Sequence, residues 1–98
     1  MNIDGVTTGI VLDHIQAGQG WEIYNLLGLD KLECTVAIIQ RVSSGKYGKK
    51  DIIKIDGLVD IDLDVLGYFD TNITVNMIKD GELDKKVHLK LPERLEGV

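Results

Sequence analysis

The stretch ITVNMIKDGELDKKVHLKLP, residues 73–92, alternates apolar and polar residues on either side of Asp80-Gly81. That alternation has the period of two of a β-strand, and Asp-Gly supplies the positive φ angles of a two-residue hairpin loop. It reads as two antiparallel strands. On the first, Ile73, Val75 and Met77 share one face and Thr74, Asn76 and Ile78 the other. The second sends Leu83, Lys85, Val87, Leu89 and Leu91 to one side and Asp84, Lys86, His88 and Lys90 to the other. It ends at Pro92, which cannot donate to a ladder.

Working towards the N-terminus, Val65, Leu66 and Phe69 have the spacing of a helix stripe, with Asp60 or Asp62 placed to cap it. DIIKID, residues 51–56, is a strand with Ile53 and Ile55 on one face and Ile52, Lys54 and Asp56 on the other. A polar, glycine-bearing loop, SSGKYGKK, precedes it. Before that, Leu32, Cys34, Val36 and Ile38 line one face of a further strand. Gln19 to Leu27, crowded with Trp21, Ile23, Tyr24, Leu26 and Leu27, suits a short helix stopped by Gly28. Residues 3 to 15 read as the first strand. The order is strand, helix, strand, strand, helix, strand, then a hairpin extension. This is an α+β, ferredoxin-like βαββαβ antiparallel sheet, with two helices on one face and a C-terminal hairpin strand. The other face is left for solvent or a partner.

Ninety-eight residues suffice for one domain with one core. A formal charge of −5 argues against a field that draws the molecule onto nucleic acid or an anionic membrane. No long apolar segment reads as a membrane span, and MNIDGVTTG lacks the basic start of a secretory signal, so the expectation is a cytoplasmic protein. The single cysteine, Cys34, sits in a strand-like run and reads as a small core residue.

GIVLDHI, residues 9–15, places Asp13 beside His14 at the end of an apolar run. On a regular strand such neighbours face opposite ways, so they form no His–carboxylate dyad unless alternation breaks between them. With no glycine-framed serine elbow either, an enzyme is not expected. Two histidines and one cysteine offer no zinc spacing. DIDLD, residues 60–64, starts like a calcium loop but has Val65 where the glycine belongs, and acids are at home near a helix start. GKYGKK lacks the Ser or Thr of a phosphate loop and leads into a strand. Recognition remains. Lys54, Asn76 and Lys86, with Asp13 and His14, can converge on a phosphate-bearing ligand, since cations hold phosphates and Asp accepts from ribose hydroxyls.

GIVLDHI, GKYGKKDIIKID, ITVNMI and LPERLEGV, in this order and spacing, resemble the N-terminal allosteric domain of the aspartate carbamoyltransferase regulatory chain. The resemblance runs from about Ile3 to Val98. It implies a ferredoxin-like domain that binds nucleoside triphosphates without transforming them, CTP with UTP inhibiting and ATP activating the partner enzyme of pyrimidine biosynthesis. It implies that Asp13 meets the ribose or base and His14 the phosphates. Lys54 would lie by ribose and phosphates, and Asn76 and Lys86 near the triphosphate. The backbone around Ile3 to Val6 and Ile78 to Leu83 would border the base, and Val6, Val11 and Ile78 complete the set. Residues 1–98 are then one allosteric domain, with 91–98 starting a linker. Family members continue into a four-cysteine zinc module that docks on the catalytic chain. Without that module this chain is expected to hold no metal or cofactor, and its docking on the catalytic chain is left open. Self-association as a homodimer is implied too. The alternative is a stand-alone ferredoxin-like module that pairs with a partner or binds a small ligand.

Overall fold

The structure, a computed structural model, describes residues 5–45 and 48–92. Five strands form one antiparallel sheet: β1 (Gly9–Gln16), β2 (Thr35–Ser43), β3 (Lys49–Asp56), β4 (Thr74–Lys79) and β5 (Glu82–His88). Helix α1 (Gly20–Leu26) joins β1 to β2 and α2 (Leu63–Phe69) joins β3 to β4. The strand order β2-β3-β1-β4-β5 is the ferredoxin-like order with β5 added at the β4 edge. The α+β expectation is met.

The helices cover one face because alternate strand residues are apolar. Ile10, Leu12 and Ile15 of β1, Ile53 and Ile55 of β3, Ile73 just before β4 and Val75 within it meet Ile23 of α1 and Leu66 of α2 in the main core. Cys34 packs partly buried against it. Asp62 is the N-cap of α2, its carboxylate accepting from the Val65 amide at 3.0 Å. The N-cap residue of α1, Gln19, makes no such bond. Asp51, fully buried on β3, substitutes for it. Its carboxylate accepts from the amides of Gly18 at 2.9 Å, Gly20 at 2.8 Å and Arg41 at 3.0 Å. Gly20 permits this approach, since a Cβ there would stand 3.0 Å from both Asp51 Oδ2 and Ile38 Cγ2.

Several boundaries differ from the sequence reading. The regular part of β1 begins at Gly9, not Ile3; Val6 makes only an isolated bridge, and Ile3 lies outside the described residues. Leu32 and Cys34 face the core but precede β2. Trp21 and Leu26 are about half exposed, because a seven-residue helix turns only a narrow stripe inward, and Ile23 occupies it. The hairpin is as read, with Asp80 at φ 53 and Gly81 at φ 80 between paired Lys79 and Glu82. Beyond it, a bulge at Asp84 shifts the register, so Leu83 lies opposite Ile78 and does not share the Val87 face. β5 ends at His88, four residues before Pro92. Lys46 and Tyr47 of the SSGKYGKK loop, and residues 93–98 of the expected linker, lie outside the described residues.

Candidate functional site

Opposite the helices, the sheet presents a face whose polar residues are aligned by register. Val11 pairs with Lys54 on one side and Asn76 on the other, and Asn76 pairs with Lys86. Directly opposed residues in antiparallel strands share a face, so Lys54, Val11, Asn76 and Lys86 form one row across β3, β1, β4 and β5. Three strand spacings separate its ends, about 14 Å between backbones. The long lysine side chains can close over that distance. Asn76 is fixed by donating its side-chain amide to the Val11 carbonyl at 3.3 Å.

Asp13 and His14 lie in the next row, about 7 Å along the strands. Leu12 pairs with Ile53 and Ile15 with Asp51, so Asp13 and His14 together oppose the single residue Ile52. This is a bulge. His14 has φ 61, in the left-handed region that side chains other than glycine seldom adopt. The extra residue returns Ile15 to the core face and leaves both Asp13 and His14 on the open one. His14 Nδ1 lies 3.1 Å from Thr74 Oγ1, and Thr74 is the β4 partner of Asp13.

Asp13 Oδ1 accepts from the His14 amide at 2.6 Å and from Lys50 Nζ at 2.9 Å. Partial burial alone would raise its pKa, but the Lys50 ammonium, the His14 amide and the neighbouring charges hold it below the ordinary aspartate value. The carboxylate thus stays charged and orients Lys50.

At the other end of the face, Val6, Val11 and Ile78 are buried in a second apolar cluster with Ile52 packed against it. The segment carrying Val6 is pinned across this end. Asp56 Oδ1 accepts from the Thr7 and Thr8 amides at 3.2 and 3.4 Å, and the Thr7 carbonyl accepts from the Gly81 amide at 2.7 Å.

All eight site residues expected from the sequence therefore lie on one face: Asp13, His14, Lys54, Asn76, Lys86, Val6, Val11 and Ile78. Lys50, Thr74 and Ile52 join them and were not anticipated. Their signal was available, since Lys50 and Ile52 share parity with Lys54, and Thr74 with Asn76. Asp51 had no such signal, because its partners are backbone amides of distant segments. Among the described residues, no group of three or more His, Cys, Asp or Glu side chains could hold a metal ion. No helix among them is long and apolar enough to cross a membrane.

Fold and face together define an α+β domain of the ferredoxin-like type whose polar surface lies on the uncovered side of its sheet. The family described as "Aspartate carbamoyltransferase regulatory chain, allosteric domain" matches residues 1–90. The chain belongs to that family. It is 44% identical over 98 residues to the aspartate carbamoyltransferase regulatory chain of Clostridium botulinum (strain Hall), covering all of this chain and 67% of the relative. Against that of Clostridium acetobutylicum the identity is 46%, with the same coverage. Against that of Bifidobacterium longum it is 38%, covering all of this chain and 70% of the relative. By family it is a regulatory chain, not a catalytic one.

Proposed function

We propose that the open face binds nucleoside triphosphates, CTP or UTP in competition with ATP, and that their binding controls aspartate carbamoyltransferase in pyrimidine biosynthesis. The observation that carries this reading is the row Lys54, Val11, Asn76 and Lys86, with His14 brought onto the same face by the bulge. Two ammonium groups from distant strands stand either side of a site in an otherwise acidic chain. They and His14 hold the phosphates by charge-assisted hydrogen bonds. The buried cluster of Val6, Val11 and Ile78 supports the segment over which the base lies, and main-chain groups of the Val6 segment and the hairpin read its edge. Backbone readers suit purine and pyrimidine alike. Asp13, whose Oδ1 already serves Lys50 and the His14 amide, offers Oδ2 to a ribose hydroxyl.

The catalytic chain is the partner on which the effect is exerted, and a homodimer of regulatory chains is the assembly that brings it there. Effectors then act through unequal affinity for two states of the complex. Calorimetric titration with CTP, UTP and ATP tests the binding. The expected result is saturable binding, with Lys54→Ala and Lys86→Ala each weaker by about tenfold, the loss of one charge-assisted contact. A melting temperature that rises with nucleotide agrees with it. No heat and no thermal shift at millimolar nucleotide and low salt would overturn it.

A further inference from the structure

His88 on β5 lies on the open face and is accounted for neither by the sequence motifs nor by the row of lysines. It is exposed, and its ladder partner is Thr74. Thr74 is also the residue whose hydroxyl meets His14 Nδ1 at 3.1 Å. The strand positions of His14 and His88 thus stand on either side of Thr74, in the row that carries the Asp13–Lys50 ion pair. Val87 faces the core, so its neighbours Lys86 and His88 both point to the open side.

We propose that His88 is a second phosphate-binding imidazole: with His14 it holds the terminal phosphate of the nucleotide, and its protonation makes effector affinity rise as pH falls. This rests on the reading of the face as a nucleotide site and adds its regulation. Histidine is the side chain that changes charge between pH 5 and 8, and an imidazolium donates from both nitrogens to an anion. The charged groups around it are Asp13 and His14 on β1, Lys50 on β3 and Lys86 on its own strand. On the other side of the edge strand, Asp64 of α2 and Lys90 border the cleft of about 190 Å³ that His88 also lines.

The test is titration of the full chain with CTP and CMP at pH 6 and pH 8, for the unaltered protein, His88→Gln and His88→Arg. The terminal phosphate itself gains a proton in this range, but equally for all three proteins, so ratios between them isolate the side chain. The CTP affinity ratio of unaltered protein to His88→Gln should grow from about twofold at pH 8 to about tenfold at pH 6, as one more imidazolium–phosphate contact forms. His88→Arg should bind CTP with a flatter pH profile than the unaltered protein, since its charge is fixed. CMP, lacking the terminal phosphates, should show no growth of the ratio. A ratio independent of pH, or one that grows equally with CMP, overturns the assignment of His88 while leaving the nucleotide site standing. Absence of CTP binding at either pH removes the site and this assignment together.

Discussion

The two faces of the sheet use the same alternation for opposite ends. On the helix-covered side the central strands contribute fully buried aliphatic residues, and the one buried charge among the described residues, Asp51, is consumed by backbone amides. On the open side three buried aliphatics form a patch, and much of the remainder is polar, with lysines, two imidazoles, an amide, a hydroxyl and the Asp13 carboxylate. One face stabilises the fold, and the other is free to be polar because the first suffices. Adjacent residues of β1 allow a direct contrast. Leu12 is fully buried in the main core, and Val11 is nearly so under the Val6 segment. Leu12→Ala should cost about 3 kcal/mol of stability, from lost transfer energy plus the cavity left behind. Val11→Ala should cost only about 1 to 2 kcal/mol, being a smaller truncation, yet weaken CTP binding. Urea unfolding and calorimetry together check this. If Leu12→Ala weakened binding as much as Val11→Ala in protein that remains folded, the faces would not be functionally separate.

Asp51 sharpens the contrast, since it is a charge on the side where charges do not belong. Burial pushes its carboxyl up. The amides of Arg41, Gly20 and Gly18, with the Gln40 side chain, more than offset this and bring it below the ordinary value. A depressed carboxyl binds protons more weakly in the folded chain than in the unfolded one. Its contribution is therefore complete above the unfolded pKa, near 4, and lost as pH falls through the lower folded one. Asp51→Asn should cost about 2 kcal/mol at pH 7, because a single amide oxygen cannot satisfy three amide donors that converge on one buried side chain. It should also flatten the decline of stability below about pH 4. Chemical denaturation at pH 3 and pH 7 measures both, and an unchanged acid limb in the variant would assign that limb to other carboxylates.

The helix-covered face was legible in the sequence because it depends on periodicity, which is local. Ile53 and Ile55 against Ile52 and Lys54, or Ile73 and Val75 against Thr74 and Asn76, could be sorted by counting in twos. The strand order followed from the succession of elements. Counting failed where one residue was inserted. Asp84 shifts Leu83 to the open face, and no residue type announces it. Asp13, His14, Lys54, Asn76 and Lys86 were reached from residue chemistry and alternation, and their roles, with Val6, Val11 and Ile78, through motif resemblance. The Lys50–Asp13 ion pair and the threefold capture of amides by Asp51 join segments 31 to 37 residues apart or span a bulge, so no local pattern encodes them.

The bulge at His14 is where the two faces exchange, and its energetics should be visible in small differences between substitutions. A residue at φ 61 costs an ordinary L side chain about 1 kcal/mol, glycine nothing, and a β-branched residue more. Opposing this, His14 gains its bond to the Thr74 hydroxyl, which in a part-exposed place stabilises by about 0.5 to 1 kcal/mol. The two nearly cancel. His14→Gly should then change stability by no more than about 0.5 kcal/mol, and His14→Asn, another residue tolerant of the left-handed region, should lie close to it. His14→Val should be less stable than either by about 1 to 2 kcal/mol. All three remove the imidazole and should weaken CTP binding at pH 6, so stability and affinity separate most widely for glycine. If valine proved as stable as glycine, the left-handed bulge would not persist in solution. Asp13 and His14 would then alternate as on a regular strand, with the imidazole turned towards the helices and away from the ligand.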